Sequence, residues 1–328
     1  MRFLTPPQIP PMTPRATTIR STLYTTASLV ASAAAQPLLA SENVPHAPFA
    51  EWANVPDRGQ IVTRLTYQES EAYYFWAGNH RYKADLRVRG EHYGTDINQG
   101  YLSLQYGLNE KWAADLALGY TTAGWRYFSP DGSAQSTTGL MDISFGVRYQ
   151  IFKEGEDADR EWLPTLTFRA GAVLPGSLDE DFAFAPGNSS TAIEPELLAR
   201  KHFGWEGFGA YADTLFRWNH TAANDQYIVS FGFFQQIQRW ELNAGYRHLG
   251  SINGDNIRFD PGTREIFYPR APRENQDSIE AGFSYLTKKR NIKLGFYSRT
   301  VFDGANTDKK FWLGGFIEMP FQLTKSDE

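Results

Sequence analysis

From position 59 onward, apolar and polar residues alternate in short runs, the period of two expected when successive side chains point to opposite faces of a sheet. The clearest run sets Met141, Ile143, Phe145, Val147, Tyr149 and Ile151 against Asp142, Ser144, Gly146, Arg148 and Gln150. The same alternation recurs at 61–68, 102–106, 112–120, 166–169, 227–233, 240–247, 279–285, 292–296 and 311–321, while 193–202 and 206–218 alternate less cleanly and are assigned as strands by position. One face of such a strand suits hydrocarbon and the other does not, which is the pattern of a lipid-embedded barrel wall.

Connection lengths test that reading independently. Short connections fall at 107–111, 203–205, 237–239 and 287–291, with 152–161 a longer polar version, and between them lie polar stretches at 69–97, 121–138, 175–192, 219–226, 250–277 and 302–309. Outer-membrane barrels pair short periplasmic turns with longer outer loops. The parity gives about twelve strands with both mature ends in the periplasm. Tyr82, Ala84, Leu86 and Val88 also alternate; a thirteenth wall strand would invert every later turn, so this segment is read as part of the first outer loop, an extended hairpin above the membrane. The expected fold is all-β, a transmembrane antiparallel β-barrel occupying 59–321. A soluble β-sandwich is the alternative, and strict alternation of short and long connections argues against it.

Before the barrel, Arg15 and Arg20, an apolar run over 23–35 and Ala33-Ala34-Ala35 form an export signal with cleavage after Ala35, or after Ala40 as second choice. Five prolines between positions 6 and 14 leave Met12 as an alternative start. Residues 36–58 then form a periplasmic segment and 322–328 a periplasmic tail.

Composition narrows the class. Cysteine is absent, so disulfides, thiol chemistry and cysteine-ligated metal are excluded. No segment after residue 40 approaches 18 uninterrupted apolar residues, so only strands are available to span a bilayer. A net charge of −5 without a basic stripe argues against nucleic-acid binding.

If the apolar face is outward, the lumen-lining set is Arg64, Arg148, Arg169, Arg217, Arg247, Lys293 and Arg299 with Asp115, Asp142, Asp213, Glu241, Glu280 and Glu318. The signs nearly balance, so these side chains either pair across a narrow lumen or line a polar path; no single-sign ring marks ion selectivity. Trp112, Trp162, Trp205 and Trp240 sit beside the periplasmic turns, where an aromatic girdle meets headgroups.

Enzymatic chemistry is not expected. The six histidines show no His-x-Ser spacing, and there is no H-E-x-x-H, G-x-S-x-G or phosphate loop. His248, near the outer end of its strand, is read as interfacial. Asp303-Gly304-Ala305-Asn306-Thr307-Asp308 lacks the spacing of a calcium loop and reads as a tight turn. Arg258, Arg264, Arg270 and Arg273 read as part of a solvated outer loop, with a grip on lipopolysaccharide phosphates or an anionic solute as the alternative. No cofactor or metal is expected.

Several motifs resemble the outer-membrane barrel family named for the meta-pathway of phenol degradation, a transporter-like group. They are the turn Tyr106-Gly107-Leu108-Asn109-Glu110-Lys111-Trp112, Gly139-Leu140-Met141-Asp142-Ile143, Val173-Leu174-Pro175-Gly176, and Leu249-Gly250-Ser251-Ile252-Asn253-Gly254-Asp255. The resemblance spans roughly 60–321 and implies passage of small solutes, apolar or aromatic ones among them. The expected function is thus a passive outer-membrane channel. A non-conducting structural or surface-binding barrel and a lipid-modifying enzyme are the alternatives. Expected partners are outer-membrane lipid and lipopolysaccharide, the solute, and the barrel-assembly machinery.

Overall fold

The computed structural model describes residues 53–83, 94–125, 135–156, 162–178, 190–204, 207–220, 224–260, 262, 265–267, 269, 272–289 and 291–323. The chain divides into two units, Met1–Pro37 and Leu38–Glu328. The first unit, which holds most of the expected export signal, lies outside the described residues, as do Trp205 and 324–328.

The strands are β1 (Gln60–Ala77), β2 (His80–Lys83), β3 (Thr95–Gly107), β4 (Trp112–Trp125), β5 (Gln135–Leu140), β6 (Ile143–Phe152), β7 (Thr165–Leu174) and β8 (Ala192–His202). They continue with β9 (Phe208–Asn219), β10 (Gln226–Ile237), β11 (Trp240–Ser251), β12 (Arg258–Asp260), β13 (Glu265–Phe267), β14 (Asn275–Leu286), β15 (Lys293–Ala305) and β16 (Asp308–Gln322). Because β5 and β6 are two halves of one wall strand, and β2, β12 and β13 belong to loops, the wall has twelve antiparallel strands. It closes where β1 pairs with β16 from Gln60↔Gln322 to Ala72↔Lys310. Closure leaves no unpaired edge for hydrocarbon to meet and rules out the two-layer sandwich. Leu65, Phe145, Val147, Phe168, Phe231, Phe233, Ile279 and Phe296 are exposed on the outer surface, while their polar neighbours in sequence turn inward.

Three details depart from the alternation pattern. First, hydrogen bonding outlasts the apolar band. β1 and β3 stay paired through Glu69↔Asn98 and Glu71↔Asp96, so the first outer loop begins nine residues later than polarity suggests, after Ala77. His80–Lys83 folds back on Tyr74–Ala77, and Ala84, Leu86 and Val88 of the expected hairpin lie outside the described residues. Second, an extra residue between β5 and β6 makes a bulge. Tyr120 pairs Leu140 but Ala117 pairs Ser144, and this phase shift turns both Met141 and Asp142 inward. Met141, assigned by alternation to the lipid face, is buried inside against Tyr101, Ala117 and Leu178. Third, the stretch 302–309 is mostly strand, with the turn reduced to Asn306-Thr307.

That turn organises the outer rim. Asn306 has φ 53°, a left-handed conformation that asparagine tolerates. Its Oδ1 accepts the N–H groups of Gly78 (2.7 Å) and Ile257 (2.9 Å). Its Nδ2 donates to Asn256 Oδ1 (2.9 Å) and the Arg273 carbonyl (2.7 Å). Phe259 then reaches Phe75 and Tyr82, with ring centroids 5.5 and 4.6 Å away. Phe75 is buried opposite Asp308 at the top of β1.

Candidate functional site: the barrel interior

Register decides which charges meet. Arg148 on β6 stands directly opposite Arg169 on β7, a like-charge pair that would be destabilising by itself. Asp115 on β4 resolves it, accepting from Arg148 Nε at 2.8 Å and from Arg169 Nε and a terminal nitrogen at 2.9 Å. The Arg169 guanidinium lies flat against the wall, because a Cβ on Gly171 would come within 2.4 Å of it. It donates to Ser144 (2.8 Å) and extends to Glu194 (3.4 Å) and Glu196 (3.7 Å). Glu194 in turn accepts from Arg217 at 2.5 Å and from Ser144 at 3.1 Å. The result is a lattice of buried charges running around the wall from β4 to β9. Within it Glu196 is the weak member, since neither of its oxygens has a hydrogen-bond partner.

A second set lies mostly on the rest of the wall. Arg64 binds Glu318 at 2.5 Å, Glu241 binds Arg200 at 3.1 Å and Lys293 at 3.9 Å, and Arg299 approaches Glu280 at 3.8 Å. Rings fill the remaining space. Phe316 lies over Gly295, Tyr297 over Gly314, and Tyr211 over Gly232 and Gly245, each where a Cβ would collide with the ring. Arg64 stacks on Phe316 with its guanidinium 4.5 Å from the ring centre. Arg247 acts electrostatically on Asp213, whose cross-strand neighbour is Ser230. Asp142, at the bulge, accepts the Gly176 N–H at 3.0 Å and so fastens the loop after β7.

All thirteen charged residues expected inside therefore sit on the inner face, with Asp213, Arg299 and Glu318 half-buried and the others buried. Glu194, Glu196, Arg200, Asp308 and Lys310 join them without having been expected. On β8 the signal was blurred because inward Leu198 follows outward Leu197.

The lumen is also crossed by chain. Ala53, ahead of β1, is buried against Leu198 of β8 and against Tyr297 and Phe316 of β15 and β16. β8 and β16 stand six strands apart in the ring of twelve, on opposite walls. The Ala53 carbonyl accepts from Thr167 (2.5 Å) and Gln150 (3.3 Å), polar side chains on the inner face of β7 and β6. The segment is tied to the rim just afterwards, where Gly59, with φ 72°, donates to the Gly107 carbonyl at 2.8 Å. Between this segment and the wall lies a cavity of about 470 Å³.

At the periplasmic end, Trp112, Trp162 and Trp240 are exposed on the outer surface. Trp112 packs on Tyr149 and Trp240 on Tyr285, at 4.7 and 4.9 Å between centroids. Nearby, burial alone would raise the pKa of Glu154, but hydrogen bonds from Lys201 Nζ (2.7 Å) and from His202 hold it below the ordinary carboxylate range. At the outer end, His248 Nδ1 bonds Asp277 at 2.8 Å and its Nε2 lies 3.2 Å from Tyr227 Oη. Among the described residues no serine hydrogen-bonds His248, so a Ser–His pair is not assembled there.

Comparisons place these features among known proteins. A family model described as "Putative MetA-pathway of phenol degradation" matches residues 63–310. The fold is similar to that of an outer membrane channel from Pseudomonas putida F1, with TM-score 0.61 and 14% identity, covering 82% of this chain and 98% of that one. Looser likenesses include the translocator domain of the autotransporter NalP from Neisseria meningitidis (TM-score 0.43, 12% identity, 84% and 92% covered). A deletion mutant of the TodX monoaromatic hydrocarbon channel gives TM-score 0.44 and 11% identity, with 84% and 92% covered. None of the curated proteins matches the chain in sequence.

Proposed function

The chain belongs to the phenol-degradation family of barrels whose model matches 63–310, and on that premise we propose that it is an outer-membrane channel for passive passage of small solutes, apolar or aromatic ones among them. The observation that carries this reading is a polar, ring-lined interior crossed by a single short segment at Ala53. Among the described residues its hold on the inner wall is two side-chain hydrogen bonds to the Ala53 carbonyl and a small apolar contact. It is therefore the part of the occluded lumen that yields, swinging about Gly59 while the wall stays paired. Tyr211, Tyr297 and Phe316 supply faces on which an aromatic solute stacks as it passes.

In this reading the chain reaches the outer membrane after removal of residues 1–35, or 1–40. It is inserted by the barrel-assembly machinery and is then surrounded by lipid and lipopolysaccharide. Residues 36–58 form the periplasmic segment, of which 53–58 act as the stopper, and the thirteen charged side chains line the route. The test is planar-bilayer recording with liposome swelling on the mature protein and on a variant lacking residues 36–55. Deletion is expected to raise conductance several-fold and to admit small neutral aromatics. The buried lattice from β4 to β9 favours one competing reading, a barrel sealed by its own side chains. A silent membrane after deletion would establish that reading and reject the channel.

A further inference from the structure

The cavity beside the N-terminal segment has an unusual wall. One side is the segment itself, 54–57, and the other is barrel interior from β1, β3, β10, β11, β14, β15 and β16. Its volume of about 470 Å³ falls in the range of small-molecule sites. Of its charged groups Arg64 is matched to Glu318 and Lys293 to Glu241, and the other two, Asp57 and Arg239, are of opposite sign, so the wall carries no net charge to favour an anion or a cation. The uncharged polar groups of the wall are mostly amides. Gln60, Gln105 and Gln238 line the cavity, and among the described residues their side chains make no hydrogen bond. Gln236 spends its Nε2 on Glu241. Gln105 is more than nine-tenths buried on the inner face of β3, yet its carboxamide carries no partner. A carboxamide presents two donors and an acceptor, and one that opens onto the cavity offers them to its occupant. Val55, Pro56, Val62 and Leu286 supply apolar surface between the amides.

We propose that this cavity is a binding site for a small neutral polyhydroxylated compound, and that its occupancy holds the channel shut. Hydroxyl groups satisfy amide donors and acceptors together, and the carbon skeleton of such a compound rests on the aliphatic patches. The site exists only while residues 54–57 are in place, because they form one of its walls. A ligand that binds the closed form and not the open one shifts the equilibrium toward closure by mass action, by about a hundredfold at a hundred times its dissociation constant. The site therefore acts as a brake read from the periplasmic side, and it goes beyond the solute route proposed above.

The experiment uses the full mature chain in detergent. Glucose is titrated by isothermal calorimetry, with sodium gluconate and toluene as charged and apolar controls. Saturable binding of glucose alone is expected, weakened about tenfold or more in Gln105→Leu and again in Gln60→Leu. No saturable response to glucose, equal affinity for gluconate, or unchanged affinity in both variants would overturn the proposal. A second readout is the protection of the 54–57 segment from protease, which glucose should increase in the wild type and not in Gln105→Leu. Both measurements are independent of conduction, so a barrel that binds glucose but never conducts would refute the channel and leave the site standing.

Discussion

The two halves of the barrel interior solve the same packing problem with different chemistry. From β4 to β9 the space is filled by arginines and carboxylates that interlock around the wall. From β14 round to β1 it is filled largely by rings laid on glycines, with isolated ion pairs between them. The first half gains specificity from direction, since each guanidinium has fixed partners. The second gains it from shape, since each ring needs a missing Cβ. A lattice of buried charges tolerates loss of a member poorly, whereas a ring on a glycine is sensitive only to added volume.

The sharpest way to break this contrast is Arg169→Met. It removes one of the two guanidinium partners of Asp115 and of Glu194, leaving them Arg148 and Arg217 alone, and an unfolding loss of about 3 kcal/mol is expected by urea titration of the refolded barrel. A loss no greater than that of a surface arginine would mean that water enters the lattice freely. Next comes Gly295→Val on the ring side, where a Cβ would lie 1.9 Å from Phe316. Displacing that ring is expected to cost about 1–3 kcal/mol, read in the same titration. Glu196→Gln should run the other way. Both its oxygens lack partners and its nearest cation, Arg169, already serves two other carboxylates, so removing the charge is expected to stabilise by about 1 kcal/mol.

The smallest effect lies outside both halves. Because the Glu154 pKa is lowered in the folded protein, its contribution is fully present above the ordinary carboxylate pKa. It fades as the pH falls through the folded value. Glu154→Gln should therefore reduce the acid sensitivity of thermal unfolding without changing the melting temperature slope above pH ~6. Identical acid profiles for the two proteins would remove Glu154 from the account.

The wall was legible in the sequence because lipid contact demands an apolar residue at every second position, and runs such as 143–151 leave little choice of face. Interior charges were then read as the complement of that pattern. Interior charges stayed hidden where the complement was blurred. On β8, Pro195 and the pair Leu197-Leu198 conceal the alternation that brings Glu194, Glu196 and Arg200 inside. Met141 was placed on the wrong face because a bulge inserts a residue without any residue type to mark it. Ala53 left no signal, since its role comes from a backbone carbonyl and from small size. Outer strand ends were underestimated for a related reason: polarity reports where the membrane stops, while backbone pairing between β1 and β3 continues past it.

One carboxamide at the extracellular rim uses its whole hydrogen-bonding capacity on backbone and side-chain groups from two other loops. Those loops are consequently not separate appendages that can drift in length one at a time. A change of backbone at 256–257 or at Arg273 is therefore felt at Gly78 through the same side chain.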